Sequence, residues 1–165
     1  ATCYALRLHA SAAPPRVGLT QALGLMPSSA TYVLVAPETA PPAIAALAPF
    51  RAVIIAEQSV TPAWQSLISD WLVQSGCLYM LAWGQDCSSW DDSVDLANLK
   101  FLDFGEIPDD QFVMTTWHTD EPLSEVFWFA KHSAFHPTID LEQTILVHVA
   151  ATDKEQEFVQ AYNEA

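Results

Sequence analysis

The chain has 165 residues, 51% of them apolar and only 16% charged, and it carries a net charge of −14 at pH 7. That length fits one domain spanning 1–165, able to bury roughly 70% of its unfolded surface, and the apolar share excludes disorder as the overall state. So negative a field repels nucleic acid and anionic membranes, and it attracts basic partners or cations.

The elements alternate along the chain. A strand is expected over 3–9, followed by a Pro/Ala loop over 10–16 and a weak helix over 19–25 interrupted by Gly24. Strands over 32–36 and 52–56 flank a second Pro-rich loop and a short helix over 42–47. The clearest helix runs over 62–74. Thr61 caps it, Pro62 suits its first turn, and Gly76 stops it. Trp64, Leu67, Ile68, Trp71 and Leu72 repeat at helical spacing and predict its buried face.

A buried strand over 77–83 leads through a polar turn into an acid-rich helix start, with Ser89 and Asp92 at capping-box spacing. The stretch 99–110 reads as a short edge strand and a turn. A strand over 112–117, a helix over 121–133 capped by Asp120, a strand over 144–149 and a helix over 153–163 complete the chain. Runs such as VIIA and ILVHV are apolar on both faces, which marks the central strands of a parallel sheet. The expected fold is therefore α/β: a three-layer, mainly parallel sheet of five or six strands with helices on both faces, flavodoxin- or Rossmann-like.

Apolar runs are too short to span a bilayer, and no basic region followed by an apolar run opens the chain, so neither anchor nor signal is expected. Three cysteines, Cys3, Cys77 and Cys87, give no CxxC spacing and no disulfide framework. A reducing cytoplasm is the expected compartment. Five glycines provide neither GxGxxG nor a phosphate loop, so no nucleotide cofactor is expected.

Two strand-end turns, GQDC at 84–87 and WHTDE at 117–121, fall where α/β sheets bind ligands. Between Asp86 and Glu125 there are eleven acids against one base, Lys100, a net of −10. Asp86, Asp91, Asp92, Asp120 and Glu121 offer hard oxygen ligands, but the EF-hand pattern is absent and the adjacent Asp91 and Asp92 diverge on a helix, so no metal is expected. His132 and His136 lack the Glu of HExxH, and Pro137 disfavours helix at His136. His9 and His148 fall in strands and are expected at core or edge positions.

The turns support two readings. In the first, the acidic edge is a non-catalytic docking surface for a basic protein, as in an inhibitor, immunity factor or complex subunit. Trp83, Trp90 and Trp117 stand at element boundaries within it, with Trp90 as the anchor, whereas Trp128 packs in the core. In the second, Cys87 is a nucleophile at a helix start, His118 its base, and Asp120 or Glu121 the orienting acid of a hydrolase or acyl-transfer enzyme. The surrounding carboxylates disfavour a thiolate, and GQDCSSW lacks the small residue of a nucleophile elbow.

The segments SDWLVQSGCLYMLAWGQDCSSWDDSVD and FVMTTWHTDEPLSEVFWFAKH resemble those of a family of small uncharacterised bacterial proteins, from about Phe50 to the C-terminus. That resemblance implies a bacterial source and a shared single-domain fold, with no activity attached. The order helix, Gly76, buried strand, cysteine turn also resembles the class I glutamine amidotransferase-like layout, but the turn lacks its GxCxG pattern.

Overall fold

The computed structural model describes residues 30–165. The strand expected over 3–9, the helix over 19–25, Cys3 and His9 lie outside the described residues. Five strands, β1 (Thr31–Val35), β2 (Phe50–Ala56), β3 (Cys77–Gly84), β4 (Met114–His118) and β5 (Gln143–Val149), form one sheet in the order β1-β5-β2-β3-β4. Every pairing is parallel. As expected, β3 and β5 are interior strands.

The two-residue period of each strand sorts its side chains between two cores. On one face Phe50, Ile54, Met80, Ala82, Ile145 and Val147 meet helices α1 (Pro62–Gln74) and α2 (Cys87–Phe101). On the other, Val53, Ile55, Tyr79, Leu81 and Leu146 meet α3 (Leu123–His132) and α4 (Glu155–Glu164). The result is three layers. β2 is buried at all seven positions, which explains why its sequence does not alternate.

Connections β2–α1–β3–α2–β4 walk outward along one half of the sheet. α3 then returns the chain over the opposite face to β5, which lies between β2 and β1. The winding reverses at the β2–β5 boundary, the position where open α/β sheets hold ligands beyond their strand ends.

Local signals explain most boundaries. Thr61 accepts a hydrogen bond from the Trp64 amide, and Pro62 opens α1. Gly76 follows the helix with φ +93°, a conformation that favours glycine. The buried face of α1 is Trp64, Ile68, Ser69, Leu72 and Val73. Leu67 is 47% exposed and Trp71 only partly buried, so the apolar stripe is rotated from the expected one. The cause is α2, whose Ser93 donates to or accepts from Ser69 at 2.8 Å and brings that small residue to the interface.

Three other expectations are corrected. The 42–47 helix is a single 3-10 turn, Ala45–Leu47. The stretch 99–110 holds no strand, because α2 continues to Phe101 before a turn. α3 begins at Leu123 after Pro122, and Asp120 (φ 60°) stands in the turn before it without capping it.

Candidate functional site

The carboxyl edge is built around a tight contact between β2 and β3. Gln85 donates its amide to the Ala56 carbonyl at 2.7 Å. Gly84 lies so close that a Cβ there would stand 2.2 Å from the same oxygen, and its φ is +97°. Asp86 follows in the left-handed region (φ 50°) and precedes the first residue of α2, with its carboxylate accepting from Ser59 at 3.0 Å. α2 therefore starts at Cys87. Ser89 lies inside the helix, bonded to the Asp86 carbonyl, and forms no capping box.

This early start turns Trp90 inward. It is 1% exposed in the α1–α2 core, so it cannot serve as a surface anchor. Trp83 is partly buried, and its indole donates to the Glu121 carbonyl. Trp117 is 52% exposed on β4, and Trp128, expected in the core, is 50% exposed on α3. Asp86, Asp92, Asp120 and Glu121 are exposed, while Asp91 is half-buried.

Cys87 and His118 approach through backbone, not through their reactive atoms. Cys87 Sγ lies 3.7 Å from the His118 carbonyl oxygen and 3.4 Å from Thr119 Oγ1. Its side chain belongs to the α1–α2 core. The His118 ring packs edge-on against Phe129 of α3. Its Nδ1 meets Glu121 at 2.9 Å, and its Nε2 faces Thr116 at 3.4 Å. Among the described residues no hydrogen bond joins the Cys87 sulfur to the His118 ring, so the His118–Glu121 pair stands without the thiol.

His132 ends α3, its ring tilted against Trp128. His136 is buried past the helix. Its Nε2 donates to the Phe112 carbonyl at 2.9 Å, and its Nδ1 accepts from the Thr138 and Ile139 amides. That ring is fully used in shaping a turn. Cys77 is buried, and loss of solvent pushes its thiol up to about 12, which makes it inert packing.

A second polar group lies where the winding reverses. His148 of β5 is wholly buried on the α4 side, edge-on to Phe158. Its Nδ1 meets the Tyr32 hydroxyl at 2.7 Å, and its Nε2 lies 3.2 Å from Glu57 Oε2. That second contact is close but poorly aligned for a hydrogen bond. Lys154 Nζ binds the other Glu57 oxygen at 2.5 Å, and the Lys154 amide donates to the Tyr32 hydroxyl at 3.2 Å. Burial alone would raise the Glu57 carboxyl, but Lys154 and His148 outweigh it and hold the group below the usual carboxylate value. Burial, followed by the nearby carboxylates, raises the Tyr32 phenol despite the opposing Lys154 amide.

Residues 30–165 match the model of a family described as Domain of unknown function (DUF7684). The chain belongs to this family. No curated protein and no solved structure matches it. In this DUF7684 domain the two polar turns after β3 and β4 were legible in the sequence, whereas the Tyr32–Glu57–His148–Lys154 group was not. The one available signal was a histidine set within the inward-facing apolar run ILVHV. Its partners are 116 residues away at Tyr32 and in the turns after β2 and β5.

Proposed function

We propose that the acidic carboxyl edge of this domain is a non-catalytic docking surface for a basic protein partner, in a bacterial cytoplasm. The observation that carries the reading is Trp117. This large ring is half exposed on β4, a strand paired on one side only among the described residues. Exposed carboxylates lie in the turns after β3 and β4, at Asp86, Asp120 and Glu121, and on α2 at Asp92. An exposed tryptophan on a strand that leads into a charged turn has the composition of an interface hot spot, with the ring supplying affinity and the charges speeding encounter. Trp117 replaces Trp90 as the anchor. The buried free thiols of Cys77 and Cys87 suit a reducing compartment.

The test is capture from host lysate at low and high salt, followed by purified binding. A basic partner released by salt is expected. Trp117→Ala should weaken it by about 2 kcal/mol, in the range of interface hot spots. The triple variant Asp92→Lys, Asp120→Lys, Glu121→Lys should abolish the salt dependence. Unchanged binding by both variants would remove this surface from the function.

A further inference from the structure

Tyr32, His148 and Glu57 stand in the order hydroxyl, imidazole, carboxylate. Tyr32 comes from β1, His148 from β5 and Glu57 from the turn after β2, beside the point where the sheet's winding reverses. The proton positions follow from the contacts. The phenol oxygen already accepts the Lys154 amide, so its own proton is free to point at His148 Nδ1, 2.7 Å away. Nδ1 then needs its lone pair, which puts the ring proton on Nε2, facing the Glu57 carboxylate at 3.2 Å. Lys154 keeps that carboxylate charged and in place.

The order of groups is that of an activated hydroxyl on unrelated folds, nucleophile to base and base to anion, with the last link a 3.2 Å contact that is not aligned as a hydrogen bond. Packing alone would be met by an apolar side chain at position 148, like its inward neighbour Leu146 on the same face. Tyr32, Glu57 and Lys154 are all partly exposed, while His148 is screened from water. The chain therefore runs from a partly exposed tyrosine to a base screened from water.

We propose that Tyr32 is a nucleophile that accepts an acyl group from an uncharged activated ester or thioester, with His148 as general base and Glu57 as the residue that positions it. The phenol oxygen attacks the acyl carbon, and the phenol proton passes to His148 Nδ1. The bond to the leaving group then breaks, and His148 returns that proton to the departing oxygen or sulfur. The products are an aryl ester on Tyr32 and a free alcohol or thiol, with no change of oxidation state. The donor is uncharged because Asp153, Glu155 and Glu57 all act on the Tyr32 oxygen as negative charges and would repel a phosphoryl group. This site adjoins the acidic docking edge, Glu57 and Asp86 lining one open pocket, but its chemistry uses none of the docking carboxylates.

The test uses p-nitrophenyl acetate near neutral pH with peptide mapping of the acetyl group. Tyr32 should be acetylated about 100-fold faster than N-acetyltyrosinamide, the scale of general-base assistance. Tyr32→Phe should remove the modification, and His148→Gln should return Tyr32 to the reference rate. Glu57→Gln should slow it about tenfold and keep the solvent deuterium isotope effect of the parent protein, which His148→Gln should abolish. Should His148→Gln fail to fold, Glu57→Gln decides by itself. The proposal is overturned if Tyr32 reacts no faster than the free phenol, if acetyl lands on Lys154 alone, or if Glu57→Gln reacts at the parent rate.

Discussion

Glu57 joins two basic side chains at the ends of the central strands. It faces Lys154 and His148 together, and its carboxyl lies below the ordinary value of 4.5. An acid depressed in the folded state binds fewer protons there than in the unfolded chain. Its stabilisation is complete above pH 4.5 and is lost as the pH falls through the depressed value. Glu57→Gln should therefore cost roughly 1 kcal/mol at neutral pH and nothing once the pH is well below 4. Thermal melts of both proteins across pH 3–7 check this. The two curves should converge on the acid side, and a constant gap between them would show that Glu57 acts through packing instead of charge.

Between elements, Arg51 does a comparable task without any carboxylate. It leaves the start of β2 buried, and burial lowers its affinity for the proton. Its Nη1 donates to Ala130 in the last turns of α3, and its Nη2 donates to Leu141 before β5. One guanidinium thus fastens α3 and the β5 entry to the central strand. Arg51→Met keeps the length but strands two buried carbonyls, and the expected loss is about 2–4 kcal/mol in urea unfolding. A loss under about 1 kcal/mol would mean that water replaces the guanidinium. The sequence could not show this tie, because the partners are 79 and 90 residues away. It did show β2, β3, β5 and α1, whose signals are local: apolar runs, a Thr–Pro helix start and a glycine stop. Errors arose where tertiary contacts override local pattern. Leu67 repeats correctly but loses its place to Ser69 against α2, and Trp90 is carried inward because Asp86 bends into the left-handed region and starts the helix three residues early. Asp120 and Glu121 have cap chemistry, yet Pro122 takes the N-cap position of α3.

For the molecule as a whole, fourteen excess negative charges have few cations to meet. Lys100 reaches Asp70 only at 4.0 Å, with both ends exposed, so that pair contributes little. Asp95 shows the consequence locally. Loss of solvent and then the charges of Asp91 and Asp92 raise its carboxyl, against an opposing hydrogen bond from Thr115. Net self-repulsion should therefore fall when salt is added. Going from about 0.01 M to 0.15 M shortens the screening length from about 30 Å to about 8 Å. The expected result is a Tm higher by about 2–4 °C, equivalent to about 1 kcal/mol for a domain of this size. A basic partner on the carboxyl edge should respond in the opposite sense over the same range, with faster dissociation and slower association as its steering field is screened. The two measurements made side by side separate folding from docking. A Tm that falls with salt would mean that internal ion pairs such as Glu57–Lys154 outweigh the surface repulsion, and that the acidic edge is not held at a cost to the fold.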